Sequence, residues 1–202
     1  EYKRHGTLCL IGNWDVVLGQ MIAPTIRATR TEEDFAWHIH HTIQTDAEAG
    51  WIIVVDNLNV HCSETLVRYV ARLEGIDEST LGKKGRSGIL KSVATRQAFL
   101  SDRRHRIRFV FFPKHTSWLN QIEIVFGIVG RRVMRRGNFS SVTAMKERLL
   151  DFIDYFNRTF AKPFRWTYTG RPITAETVKR PANWKEQWAS KRQNSETLAL
   201  VA

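Results

Sequence analysis

Cysteine is scarce in this chain: 202 residues contain two, Cys9 and Cys62, and neither lies in a Cys-x-x-Cys pair. Two such residues cannot build a disulfide framework, and a reducing cytosol fits them best. Long hydrophobic runs are missing as well. No stretch approaches the roughly 18–20 apolar residues that a membrane span needs. The apolar run near the start is broken by Asn13 and Asp15, which excludes a signal-peptide pattern there. Acidic residues are outnumbered, with 20 Asp and Glu against 31 Lys and Arg, a formal net charge of +11. No internal repeat and no second domain is evident. The reading is therefore a cytoplasmic, nucleoid-associated protein with no membrane and no small-molecule partner.

Hydrophobic residues make up 43% and charged residues 25%, enough for one domain with a sizeable core. The basic excess favours a polyanionic partner, because a basic surface gains affinity by releasing counterions from phosphates. Its distribution is uneven. Nine Lys or Arg and one acid, Asp102, lie between Lys83 and Arg108. A second cluster, Arg131, Arg132, Arg135 and Arg136, follows on a predicted helix. Candidate phosphate contacts are Lys83, Lys84, Arg86, Lys114, Arg131 and Arg132, alongside the alternative of a plain solvated surface.

Residues 7–12 and 16–22 are short β-type runs around a turn signal at 13–15, which predicts a hairpin. Thr31 and Asp34 resemble a capping box opening a helix over 32–48. The run 51–56 (WIIVVD) is β-branched, continuous and apolar, and predicts a strand buried on both faces. Ser63 caps a helix over 64–74. The Gly/Lys-rich stretch 75–91 is loop-like, with a short helix over 92–100. A strand at 106–112, a helix at 119–134 and a helix at 142–160 complete an α/β layout with a mixed sheet flanked by helices.

Asp56 is the sharpest position, because a carboxylate ending an apolar strand caps a helix, pairs, or holds a metal. In such sheets functional groups gather at the carboxyl ends of strands. Glu123 is the second, one turn into a helix within PKHTSWLNQIEIVF, residues 113–126. Two carboxylates from separate elements can converge on divalent cations. The plainer readings are a turn-starting Asp56 and a surface Glu123 favoured by the helix dipole.

The segments EYKRHGT (1–7), VVDNLNVH (54–61), PKHTSWLNQIEIVF (113–126) and YFNRTFAKPFRWTYTGRP (155–172) resemble the insertion-sequence branch of the mariner transposase superfamily. The resemblance implies a bacterial DDE endonuclease with an RNase H-like fold over 1–172, followed by a polar tail at 173–202. It implies that Asp56 is the second catalytic acid and Glu123 the third. It also implies two Mg²⁺ or Mn²⁺ ions in the complete site, DNA ends and target DNA as partners, and a homodimer in the active complex. Hydrolysis of phosphodiesters and strand transfer during transposition would be the activity.

Several features depart from the family pattern. The family's first catalytic aspartate lies on a strand before the RHGT-like segment, and this chain begins at Glu1, so a lost front end and a catalytically inactive DNA-binding remnant form the alternative. The family's helix-turn-helix DNA reader is absent too. Asp15 falls in the hairpin, where the family has no catalytic acid. The 66 residues between Asp56 and Glu123 exceed the usual spacing, and the basic stretch near 75–105 accounts for the surplus. Val125 and Gly127 stand where relatives commonly carry Trp and Ser. Among weaker signals, His38 and His41 read as helix-surface residues, and His61 falls near Asp56. Asn120 reads as a residue orienting the loop through backbone hydrogen bonds. A resolvase-type or RNA–DNA hybrid nuclease is a third alternative, disfavoured by the LNQIE and WTYTGRP segments.

Overall fold

A computed structural model describes residues 5–113, 116, 120–135 and 137–165. Lys114, the WTYTGRP segment and the tail at 173–202 lie outside these described residues, as does the expected domain limit at 172. The strands are β1 (Cys9–Asp15), β2 (Gln20–Arg27), β3 (Trp51–Val55) and β4 (Ile107–Phe111). The helices are α1 (Glu32–Ile43), α2 (Glu64–Leu73), α3 (Val93–Leu100), α4 (Gln121–Val129) and α5 (Val142–Phe160). This is the α/β order expected, with antiparallel pairing of β1 with β2 and parallel pairing of β3 with β4.

Local chemistry sets most boundaries. Thr31 Oγ1 accepts the Asp34 N–H, and Asp34 Oδ2 accepts the Thr31 N–H, so both ends of the capping box are present. Ser63, Ser92 and Ser141 each accept an N–H three residues on and start α2, α3 and α5. The hairpin differs from expectation. Asn13 lies inside β1, donating to Thr42 Oγ1 at 2.7 Å, and the turn sits at 16–19. Asp15 causes the shift: its Oδ1 accepts the N–H groups of Val17 and Leu18 at 2.8 and 2.9 Å. Opposite Gly12, the register slips by one residue at Ala23–Pro24, and Ala23 takes φ 44°. A bulge is where a strand tolerates proline, which has no N–H to offer the ladder.

Three apolar clusters hold the elements. The largest joins Phe35, Ile39 and Ile43 of α1 to Leu66, Val67 and Val70 of α2, and to Ile107 and Phe109 of β4. Leu81 and Leu90, both fully buried, belong to it as well. The stretch 75–91 is therefore built structure and not a loose loop. Lys83 bridges to Ser87 between Gly82 and Gly88, whose φ angles are 83° and 65°. A Cβ on Gly82 would sit 2.3 Å from the Ser87 carbonyl oxygen, so the tight return needs glycine. A second cluster packs Met21 of β2 on Val125 and Ile153, and a third joins Val129, Val133 and Leu149. Asn157 of α5 fixes β2 by accepting the Met21 N–H at 3.0 Å and donating to its carbonyl at 2.8 Å.

Strand β3 is not buried on both faces among the described residues. Trp51, Ile53 and Val55 face the main core, while Ile52 and Val54 are 62% and 45% exposed. Strict alternation follows from helices covering one side of the β3–β4 pair. A continuous apolar run is compatible with this arrangement, and hydrophobicity alone could not distinguish it.

Candidate active site

Asp56 follows the last residue of β3, at the carboxyl end of the parallel pair. Its Oδ1 accepts the Leu58 N–H at 3.0 Å and lies 2.8 Å from His61 Nδ1. Nδ1 is also 3.3 Å from the Asp56 carbonyl oxygen. Both neighbours of Nδ1 are acceptors only, which assigns the proton to that nitrogen. His61 is held by the chain that carries it, on the short 3₁₀ turn Asn59–Cys62, with its ring 4.4 Å from that of Phe35. Burial lowers the His61 pKa, opposed by the Asp56 charge and its hydrogen bonds. His61 thus acts as a neutral donor that fixes one oxygen of Asp56. The other oxygen, Oδ2, has no partner among the described residues, and the side chain is 33% exposed.

Asn57 ties the neighbouring elements together. Its Nδ2 donates to the Phe112 carbonyl and its Oδ1 accepts from Gln97 Nε2 at 3.1 Å. The turn bearing Asp56 is thereby linked to the end of β4 and to α3.

Glu123 lies in the first turn of α4 and is exposed. Asn120 caps this helix, accepting the Ile122 N–H at 3.3 Å, while the Glu123 N–H reaches the Asn120 carbonyl at 3.0 Å. The expected orienting role of Asn120 is what the geometry displays. Asp56 borders the main core and Glu123 the second cluster, and no hydrogen bond or ion pair joins them. Val125 is 2% exposed in that second cluster. Asp15 is engaged in the hairpin turn.

Two histidine readings separate. His38 is not a surface residue: it is 1% exposed, with Nδ1 2.8 Å from Thr25 Oγ1 and Nε2 without a partner. Burial first, then the charges of His41 and His61, lowers its pKa to about 4. His41 is exposed on α1, as is His40, whose Nδ1 lies 3.0 Å from the Tyr69 hydroxyl. Of the basic candidates, Lys83, Arg86, Arg131 and Arg132 are exposed without side-chain partners among the described residues. Lys84 is also exposed but lies 3.7 Å from Glu32 and 3.9 Å from Glu64. Arg131 and Arg132 sit on a π-helical turn, Gly130–Met134, that continues α4.

The described residues form an α/β domain with an acid at a strand's carboxyl end and a strongly basic stretch between Lys83 and Arg108. Residues 1–146 match a family described as DDE superfamily endonuclease, and the chain belongs to that family. No curated protein and no solved structure matches it. The superfamily's domain is RNase H-like, and membership brings a nuclease or transposase-type function with DNA as substrate. Domains of this family generally use divalent metals. Mg²⁺ takes one or two carboxylates and completes its shell with water and phosphate. The free Oδ2 of Asp56 and the exposed Glu123 fit that chemistry. No group of three or more His, Cys, Asp or Glu that could hold a metal occurs among the described residues. No helix among the described residues is long and apolar enough to cross a membrane.

Proposed function

We propose that the chain is the catalytic domain of a bacterial insertion-sequence transposase of the mariner type, which cleaves phosphodiesters at element ends and transfers the freed strand to target DNA. The observation that carries this reading is Asp56, one oxygen tied by Leu58 and His61 and the other open to solvent at the end of β3. Asp56 and Glu123 would hold Mg²⁺ or Mn²⁺, two ions in the complete site, whose charge stabilises the transferring phosphoryl group and activates the attacking hydroxyl. In hydrolysis, water adds to phosphorus as the bond to the 3′-oxygen breaks, leaving a 3′-hydroxyl and a 5′-phosphate. In transfer, that hydroxyl replaces a bridging oxygen of the target.

The chain's own residues hold the carboxylates in place. His61 and Leu58 prevent Asp56 from rotating, and Asn57 anchors the turn to β4. The Asn120 cap sets the start of α4 and with it the position of Glu123. Lys83, Lys84, Arg86, Lys114, Arg131 and Arg132 would neutralise DNA phosphates, and a homodimer would bring two ends together.

A second reading is a transposase-derived DNA-binding remnant that does not cut. One assay separates the two. Incubated with DNA carrying the element's ends, the protein is expected to nick in Mg²⁺ and to stop in EDTA. Binding without any nicking in Mg²⁺ or Mn²⁺ would favour the second reading.

A further inference from the structure

The fold sorts the nine cations between Lys83 and Arg108 by what holds them. Arg96 donates to the Cys62 and Leu90 carbonyls at 2.7 and 3.2 Å, and Arg106 to those of Ala47 and Ala49, both at 2.7 Å. Arg104 lies 2.6 Å from Asp102 Oδ2, and Lys84 faces Glu32 and Glu64. These four already have protein acceptors. Lys83, Arg86, Lys91, Arg103 and Arg108 have none among the described residues. Surface cations without acceptors remain free to meet an external anion.

Two of the five, Arg103 and Arg108, share one place. They line an open groove of about 490 Å³ with Gln97 of α3, Ser101 just after it, and Phe109 and Phe111 of β4. The backbone there is also a donor surface. The Trp51 N–H bonds to the Arg106 carbonyl and the Phe112 N–H to the Val55 carbonyl, so Arg106, Arg108, Val110 and Phe112 turn their peptide groups towards β3. Phe109 and Phe111 therefore turn theirs away from β3, because successive residues of a strand alternate, and of the two only Phe111 keeps accessible surface. The groove combines two guanidinium groups without acceptors among the described residues, a side-chain amide, a hydroxyl and the Phe111 peptide group.

Its far end meets the candidate active site. Gln97, in the groove wall, donates to Asn57, the residue after Asp56. In the ladder, Asp56 follows the Val55–Phe111 pair, four residues along β4 from Arg108. That distance is roughly 13 Å at the rise of a strand.

We infer that this groove binds the sugar–phosphate backbone of DNA, with Arg103 and Arg108 on phosphates flanking the bond presented to Asp56. The inference rests on the nuclease reading and names where its substrate lies. Backbone phosphates suit the groove better than a peptide strand added to β4. Two unpaired cations flanking the edge favour anions, and guanidinium groups bind phosphate oxygens in pairs. Arg103 and Arg108 would supply affinity and register, not sequence preference.

The test uses a fluorescein-labelled DNA duplex and measures affinity across about 50–200 mM salt. The slope of log affinity against log salt is expected to fall by about 2 in Arg103→Gln/Arg108→Gln, close to one per phosphate contact. The doubly Lys-substituted protein should keep most of the slope. Arg104→Gln, whose parent side chain is engaged by Asp102, should match the parent. Thermal unfolding of each variant checks that the fold is intact. A parental slope in the double Gln variant overturns the groove and leaves the nuclease reading standing. A parent that binds no duplex at all overturns both.

Discussion

Asp56→Asn is expected to lower Mg²⁺-dependent nicking at least about 1000-fold, equivalent to about 4 kcal/mol of transition-state stabilisation. Asparagine has nearly the same shape. Its carbonyl oxygen can still accept from the Leu58 N–H and His61 Nδ1–H, so the turn at the end of β3 should survive. What disappears is the charge on the open side. Because the loss falls on the chemical step, DNA affinity should hold or rise slightly as one negative charge leaves a surface facing phosphates. Glu123→Gln should behave alike, since its exposed side chain supports no packing. Rates from single-turnover nicking, compared with affinity from equilibrium binding, check the split. Cutting within tenfold of the parent by either variant would remove that residue from the site.

The second large effect is on stability in acid. His38 has a folded-state pKa lowered from 6.5 to about 4, with burial as the main cause. In the unfolded chain it titrates near its ordinary value. Between those limits the unfolded state binds a proton that the folded state refuses, so stability falls as pH drops. The contribution is complete above about pH 6.5, is lost progressively towards pH 4, and levels off below. At 1.36 kcal/mol per pKa unit the total is about 3 kcal/mol. No discount for solvent applies, because the residue is 1% exposed. His61, also lowered by burial, adds in the same direction. Urea unfolding at pH 7.5 and pH 4.5 should show the loss, and His38→Leu should flatten it. An identical pH dependence in that variant would place the effect elsewhere.

His38 also shows where sequence reasoning falls short. Phe35, His38, Ile39, Thr42 and Ile43 repeat at helical spacing and are all buried. The periodicity was present, but polar residue types obscured it, because a buried histidine needs a partner that only the fold supplies. Thr25 comes from strand β2, 13 positions earlier. The same limit explains Leu81 and Leu90. Surrounded by Gly, Lys and Ser, they carry no period, yet both are fully buried.

Legibility was best where local chemistry decides. The expected caps Thr31 and Ser63 start α1 and α2, and the predicted helix at 142–160 matches α5. Asp56 was visible because an acid ending an apolar strand is chemically unusual. Its restraint by His61 was not, since a spacing of five residues does not reveal that a 3₁₀ turn folds the ring back onto the carboxylate. The basic stretch announced DNA as a bulk charge. Only the structure distinguishes Arg103 and Arg108 from Arg96, Arg104 and Arg106, whose guanidinium groups already serve the fold.

The central claim is that Asp56 and Glu123 hold the same catalytic metal centre. Fe²⁺ can replace Mg²⁺ there and, with ascorbate and peroxide, release hydroxyl radicals that cut the backbone close to the ion. Mass spectrometry of the fragments then reads where the metal sits. Paired cuts beside Asp56 and beside Glu123, both suppressed by excess Mg²⁺, are the predicted result. Cuts beside only one of the two, or at neither, would contradict it.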